Sequence, residues 1–153
     1  MKVELYGAGK VLKGRLRVPG DKSISHRAIM FSSLVKGKTE VEGFLPSEDC
    51  LSTMDIFQKL GVSIEREETR LFIEGKGMEA LEVPTSPLYC GNSGTTMRLM
   101  AGILSGQTFS SVLFGDESLE KRPMGRVLTP LSKMGAKISA EGEKSTAPLK
   151  IEG

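Results

Sequence analysis

The chain has 153 residues, of which 39% are hydrophobic and 26% charged, with a formal net charge of +2 at pH 7. This composition is typical of a folded globular domain and excludes a disordered chain. The aromatic content of 5%, without tryptophan, and the nearly balanced charge argue against a nucleic-acid-binding surface. No apolar run is as long as a membrane span and the first residues lack a signal-peptide core, so the sequence predicts a cytoplasmic protein.

The most informative stretch is residues 19–28, PGDKSISHRA. A strand-like run at 15–18 precedes it, and a helix is predicted to begin near Ser23. Lys22 lies just before this helix start, and Arg27 lies one turn inside. Backbone N–H groups without helical partners give a helix N-terminus a partial positive charge. Together with the two basic side chains, this end is suited to a phosphate or carboxylate, which predicts a site for a small anionic ligand.

Apolar residues recur at helical spacing in four segments. The predicted buried stripes are Ile24, Ala28, Phe31 and Val35; Leu51, Met54, Phe57 and Leu60; Met97, Met100, Ala101 and Leu104; and Met124, Val127, Leu128 and Leu131. The glycines predicted to end these helices are Gly37, Gly61, Gly106 and Gly135.

Other residues refine the ends of these helices. Ser47 is predicted to cap the second helix, where Glu48 and Asp49 suit the positive end. Pro123 fits the first turn of the fourth helix. Pro130 falls inside it, removes one internal hydrogen bond and is expected to bend or loosen the helix.

The sequence repeats itself, which predicts two structural units of one topology. Strands are predicted at 39–44, 62–65, 70–74 and 109–114. The segments SSLVKGKTEVEGF and AGILSGQTFSSVLF match, as do FQKLGVSI and LSKMGAKI, and the units close on LFIEG and LKIEG. Each unit therefore has the order helix, strand, helix, strand, strand, and the second carries extra residues near 117–122.

The repeat places a second candidate anion site opposite the first. Asn92, Ser93, Gly94 and Thr95 occupy the position of the DKS segment, and Arg98 occupies that of Arg27. Lys121 and Arg122 add a third basic point. If the units pack side by side, a single pocket is predicted to be lined by Lys22, Arg27, Arg98 and Arg122.

Plain structural interpretations remain open for these residues. The segment at 92–93 is ordinary capping chemistry, Arg98 alone suits a solvated ion pair, and Asp49 suits a helix dipole. His26 is the only histidine, which gives no support to a histidine metal site, and is placed at the helix surface or behind the site. Cys50 and Cys90 are interpreted as reduced thiols that pack rather than react.

Three motifs together resemble a known family. The stretches PGDKSISHRA, GNSGTTMRL and LEKRPMGRVLTPL are similar, in order and spacing, to the amino-terminal part of the 5-enolpyruvylshikimate-3-phosphate synthases (3-phosphoshikimate 1-carboxyvinyltransferases). The related UDP-N-acetylglucosamine enolpyruvyl transferases share the fold and remain an alternative. The GDKSISHR and GNSGT stretches favour the shikimate enzymes.

The resemblance implies an α/β (α+β) fold of repeated βαβαββ units, three to a domain. Residues 1–20 are then a strand segment that belongs with a carboxyl-terminal domain. Residues 21–85 form the first unit and 86–153 the second, with the third unit and second domain absent from this chain. The remainder of the enzyme is the implied protein partner.

The resemblance also implies roles for individual residues. By this resemblance, shikimate 3-phosphate is bound by Lys22, Ser23 and Arg27. Phosphoenolpyruvate is bound by Lys22, Gly94 and Arg122, and Lys22 is the catalytic residue. Supporting positions are Asp49, Asn92, Thr95 and Arg98. The implied reaction transfers enolpyruvyl from phosphoenolpyruvate to the 5-hydroxyl of shikimate 3-phosphate and releases phosphate, without metal or organic cofactor.

Two expectations concern departures from the whole family pattern. Asp21 stands where many members have serine, which adds a negative charge that is expected to steer Lys22. The family's general base and further cationic residues are expected beyond Gly153, so the chain alone is expected to be inactive.

The alternative is a chain that only binds or self-associates. Gly94 also admits inhibitors that mimic phosphoenolpyruvate, such as glyphosate.

Overall fold

A computed structural model of the chain describes residues 2–4, 6–7, 9, 11, 13–142 and 145–153. The helices of this part are α1 (Lys22–Leu34), α2 (Glu48–Lys59), α3 (Gly94–Leu104), α4 (Glu117–Glu120) and α5 (Gly125–Lys133). The strands are β1 (Lys36–Glu42), β2 (Ser63–Glu67), β3 (Arg70–Lys76), β4 (Leu88–Tyr89), β5 (Ser110–Phe114), β6 (Lys137–Gly142) and β7 (Thr146–Glu152). A 3₁₀ helix at Met78–Ala80 precedes β4.

The strands form two sheets of the same design. The first has the order β1-β3-β2 and the second β4-β5-β7-β6. The pairs β1–β3, β2–β3, β5–β7 and β6–β7 are antiparallel, whereas β4 and β5 are parallel. In the first unit, the last strand, β3, thus lies between β1 and β2. In the second unit, the last strand, β7, lies between β5 and β6 in the same way. The predicted α/β fold and the internal repeat are confirmed.

The repeat extends to the way the second helix of each unit ends. After α2, the backbone N–H of Gly61 bonds to Gln58 O at 3.0 Å and that of Val62 to Phe57 O at 3.0 Å. After α5, Gly135 and Ala136 make the same pair of bonds, at 3.1 and 3.0 Å. Both glycines have positive φ, +83° and +102°. This is the Schellman ending, which needs a left-handed residue that glycine supplies without strain.

A second pair of equivalent glycines marks a close backbone approach. A Cβ at Gly75 would lie 2.2 Å from the carbonyl oxygens of Ser32 and Val35, at the end of α1. A Cβ at Gly153 would lie 2.2 Å from Gln107 O, just after α3. In each unit, the end of the last strand therefore passes the end of the first helix too closely for any side chain.

The predicted buried stripe of α1 is wrong. Ile24, Phe31 and Val35 are 61%, 63% and 52% exposed, and Ala28 is only partly buried. The helix instead buries Ser25, His26, Ile29, Met30, Ser32 and Ser33. A polar face can be buried when its groups find partners, as the Ser25 hydroxyl does by accepting a 3.0 Å bond from Leu45 N.

The boundaries of β1 and α5 also differ from the prediction. α1 ends with an extended Val35, so Gly37 lies inside β1 and does not end the helix, while Phe44 is a core residue beyond β1. α5 begins after Met124, which puts Pro123 before the helix, and the helix continues through Pro130.

The strand-like run at 15–18 forms no strand among the described residues, and its side chains are exposed. An isolated strand has no partner for its N–H and C=O groups, so pattern alone does not make one. The sequence also gave no signal for the two-residue β4 or for α4, which occupies the extra residues of the second unit.

The core runs through both units without a break. The predicted stripe of α3 is fully buried, whereas those of α2 and α5 are partly so, with Leu51, Met54, Val127 and Leu131 at the margin. Cys50 and Cys90 are free thiols within this core, as interpreted from the sequence. No helix of the described residues is long and apolar enough to cross a membrane.

Candidate anion-binding site

The first helix start is built by Asp21 and Lys22. Asp21 is the N-cap of α1, and its carboxylate accepts a 2.8 Å bond from Ile24 N. Lys22 does not pair with it; the Lys22 ammonium lies 2.9 Å from Oδ2 of Asp49 at the start of α2. The hydrogen bond and charge of Asp49 raise the pKa of Lys22 above its usual value of 10.5. Lys22 is therefore a fixed cation, positioned by Asp49.

The second helix start is built in the same way. Ser93 caps α3, and its hydroxyl accepts a 3.1 Å bond from Thr96 N. A Cβ on Gly94 would lie 2.5 Å from Nη1 of Arg98 and 3.6 Å from Nη1 of Arg122. The missing side chain thus lets two guanidinium groups reach the first turn of α3, where the helix already favours an anion.

Asn92 and Asp116 fix the position of Arg122. The amide nitrogen of Asn92 donates to both Asp116 carboxylate oxygens, at 3.0 and 2.7 Å, while its carbonyl oxygen accepts a bond from Arg122. Arg122 also donates to the Ser118 hydroxyl at 3.3 Å. The bonds from Asn92 and from the Leu119 backbone hold the pKa of Asp116 below its usual value, so this carboxylate stays charged beside the guanidinium.

Asp49 connects the two helix starts. Its side chain binds Lys22, and its backbone carbonyl accepts a 3.4 Å bond from the Thr96 hydroxyl on α3. Because one residue contacts both elements, the start of α2 bridges the first turns of α1 and α3. Lys22 on one side and the Gly94 arginines on the other can then act on one ligand or on two adjacent ones.

The remaining predicted residues lie on the open surface of these turns. Ser23, Arg27 and Thr95 are exposed. In the described part of the chain no ion pair is recorded for Arg27, whereas Lys121 pairs with Glu117 at 2.5 Å. Contacts thus join Lys22, Asp49 and Thr96. Arg98 and Arg122 lie beside Gly94 on the same turn as Thr96, whereas no contact ties Arg27 to this group among the described residues.

One surface pocket of the described structure lies away from these residues. A cavity of about 430 Å³ is lined by residues 84–87, 110–112 and 150–152, none of which the sequence predicted as a site residue. The single pocket expected from Lys22, Arg27, Arg98 and Arg122 stays a prediction, and Lys22 and Arg27 are exposed. Among the residues described, no group of three or more His, Cys, Asp or Glu side chains could hold a metal ion.

Sequence reasoning missed several contributors to the site. Asp116 gave no motif signal, although its place before a short acidic helix is typical of an N-cap. Thr53 and Thr96 lie on helix faces that are otherwise apolar, which was the available sign of a buried polar contact. His26 is 1% exposed, so of its two predicted placements the helix surface is wrong, and a place behind the site is the one that fits.

The structure defines an α/β protein of two repeated units, in which the first helix of each unit begins beside cationic side chains. The model of the family described as EPSP synthase (3-phosphoshikimate 1-carboxyvinyltransferase) matches residues 7–153. The chain belongs to this family.

Individual members of this family are similar to the chain in sequence and structure. The 3-phosphoshikimate 1-carboxyvinyltransferase of Bacillus subtilis is 54% identical over 144 residues, covering 94% of this chain and 34% of the relative. That of Brevibacillus brevis is 53% identical with the same coverage. A solved EPSP synthase from Acinetobacter baumannii superposes with a TM-score of 0.89 at 53% identity, covering 92% of this chain and 32% of the other. The chain thus spans about a third of the length of the relatives it matches.

Proposed function

We propose that this chain supplies the shikimate 3-phosphate and phosphoenolpyruvate contacts of an enzyme that transfers enolpyruvyl to the 5-hydroxyl of shikimate 3-phosphate and releases phosphate. The observation that carries the proposal is the meeting of two cationic helix starts at Asp49. Two anionic substrates repel each other, so a surface that brings them together must place cations beside both.

The proposed roles are those that the family resemblance implies, and the positions of Lys22 and Arg122 support them. Lys22, Ser23 and Arg27 at α1 bind shikimate 3-phosphate, and Gly94 with Arg122 at α3 binds phosphoenolpyruvate. Lys22 contacts both ligands and stabilises the phosphate as it leaves. Asp49 and Asn92 hold Lys22 and Arg122 in place, while Thr95 and Arg98 shape the α3 turn.

The organisation of the protein enters the proposal as well. We divide the chain into a lead segment at 1–20 and units at 21–85 and 86–153, supported by the equivalent helix ends and sheet orders. The whole reaction belongs to a protein of the relatives' length, with a third unit and a second domain as partners. For the 153-residue chain we expect binding without turnover, in the cytoplasm, a location that the two free thiols support.

Titration of the chain with shikimate 3-phosphate, followed by residue-resolved NMR, tests the site. The proposal requires shifts at Lys22, Ser23 and Arg27, and their loss in Lys22→Met. Lys59→Met is a matched control, because Lys59 also pairs with an aspartate on α2 but lies at the far end of that helix. Unchanged spectra for a folded chain would refute a formed site.

A second candidate function, self-association, is favoured by the exposed apolar face of α1. Ile24 and Phe31 lie on one side of this helix, Val35 directly follows it, and each is more than half exposed. Sedimentation over a range of concentrations tests it: a rising mass that Phe31→Ser abolishes supports association, and a constant monomer mass excludes it.

A further inference from the structure

A chain of buried side-chain hydrogen bonds crosses from α1 through α2 to the start of α3. His26 Nδ1 lies 2.8 Å from the Thr53 hydroxyl, which lies 2.7 Å from the Thr96 hydroxyl. The Thr96 hydroxyl lies 2.7 Å from that of Ser93. All four residues are buried, at 1% exposed or less. We call these four residues the buried relay.

The bond lengths in the buried relay favour one direction of proton donation. The Ser93 hydroxyl oxygen accepts from both the Thr96 hydroxyl and the Thr96 backbone N–H. A hydroxyl has one proton, and for that of Thr96 the Ser93 oxygen at 2.7 Å is a closer acceptor than the Asp49 carbonyl oxygen at 3.4 Å; Thr96 then accepts from Thr53. Thr53 in turn must accept from an N–H at Nδ1 of His26.

The reverse direction is less favourable. It would put the histidine proton on Nε2, which is buried and has no hydrogen-bond partner among the described residues. An unpaired buried N–H donor is rarer in proteins than an acceptor with a spare lone pair. The forward direction leaves only such an acceptor at Nε2.

We propose that His26 carries its proton on Nδ1, and that Thr53 and Thr96 are positioning residues that hold the starts of α1 and α3 at a fixed spacing. The first part stands on the hydrogen bonds alone. The second rests on the proposed function, because the spacing matters where the two starts bind anions together.

The surroundings of the buried relay agree with this role. His26 precedes Arg27 on α1, and Ser93 is the N-cap of α3. Both threonine hydroxyls also lie 3.4 Å from the carbonyl oxygen of Asp49, the residue that holds Lys22. Burial lowers the pKa of His26 below its usual 6.5, against a smaller opposing effect of Asp49, which favours a neutral ring with a single proton.

The position of the proton is measurable because His26 is the only histidine in the chain. A long-range ¹H–¹⁵N spectrum should show Nδ1 as the protonated nitrogen and Nε2 as the bare one. In Thr53→Val the Nδ1 and Nε2 resonances should move toward the values of a mixture of tautomers. Thr53→Ser should restore their original positions. Ser33→Ala removes a buried hydroxyl of α1 that has no hydrogen-bond partner, and it should change neither nitrogen resonance of His26. A proton on Nε2 in the unaltered chain would overturn the direction.

The positioning role is tested with Thr96→Val and Thr96→Ser. The amide resonances of Lys22 and Ser23, on a different helix, should shift in the valine variant and return in the serine variant. Titration with inorganic phosphate should show several-fold weaker binding for valine only. If inorganic phosphate shifts no resonance of the unaltered chain, the anion site of the proposed function fails. The amide resonances of Lys22 and Ser23 without ligand still test the positioning role in that case. Lys22 and Ser23 amides that ignore Thr96→Val refute the positioning role.

Discussion

At the scale of single residues, Gly94 controls how closely cations approach the α3 start. The Gly94→Ala methyl would lie 2.5 Å from a terminal Arg98 nitrogen, at the flexible end of a side chain that can move away. We therefore expect stability to be retained but phosphate binding to weaken about tenfold, as for loss of one charge-assisted hydrogen bond. Phosphate titration by NMR measures this.

Gly102→Ala provides the matched control for that substitution. Gly102 lies on the same helix, and a Cβ there would meet nothing within 4 Å. Phosphate affinity should be unchanged in this variant. Equal weakening in both variants would show that a general effect on α3, and not the Gly94 clearance, is responsible.

His26 predicts how stability depends on pH. Burial lowers its pKa in the folded chain, so below pH 6.5 the unfolded state binds more protons than the folded state. The free energy of unfolding should thus fall as pH drops through 6.5 toward the folded pKa, and be constant above 6.5 as far as this residue is concerned. Urea unfolding at several pH values measures the effect.

His26→Asn isolates this contribution from that of the carboxylates. The groups that act on the ring are Asp49 and Lys22, and both are present in the variant. The difference in unfolding free energy between the two proteins should shrink as pH falls below 6.5. A difference independent of pH would mean that the ring titrates equally in both states.

At the scale of elements, the close approach of β3 to α1 depends on Gly75. A methyl at Gly75→Ala would meet backbone oxygens of Ser32 and Val35 at 2.2 Å, and backbone yields far less than a side-chain end. We expect a loss of about 1–3 kcal/mol in unfolding free energy, as in overpacked cores. Gly102→Ala in α3 should instead gain roughly 0.5–1 kcal/mol. Denaturant unfolding of both variants checks the sign.

The elements also show what the sequence could predict. Helix ends at Gly61 and Gly135 are local, because the Schellman ending is written in a few consecutive residues. The buried face of α1 is not local. Its polar side is buried because Thr53 and Leu45 N, far along the chain, bond to His26 and Ser25. Periodicity finds an apolar face but not which face a neighbouring element covers.

The candidate site likewise contains residues that local sequence predicts and residues whose position depends on packing. Lys22 and Gly94 are predictable because each lies in a motif at a helix start, and the repeat predicts two such starts. Asp49 was placed as a supporting residue, but its bridging position depends on how α2 packs between α1 and α3. The contact of Arg122 with Asn92 likewise joins α4's loop to the segment before α3.

At the scale of the whole molecule, the continuous core predicts that the two units open together. Cys50 on α2 and Cys90 before α3 are both fully buried and belong to different units. Burial raises the pKa of the Cys50 thiol and raises that of Cys90 to about 12, so neither reacts readily while folded. Thiol labelling should therefore proceed at one common rate, set by global opening.

The single variants Cys50→Ala and Cys90→Ala separate the two thiols. Under native conditions, the thiol remaining in each variant should label far more slowly than in urea, and the two should respond in parallel to added denaturant. The shared core requires this, because α2 packs on both α3 and β4, so neither unit can expose its cysteine while the other stays intact. If Cys90 labels much faster than Cys50 at low denaturant, the second unit opens on its own, and the core is two cooperative bodies instead of one.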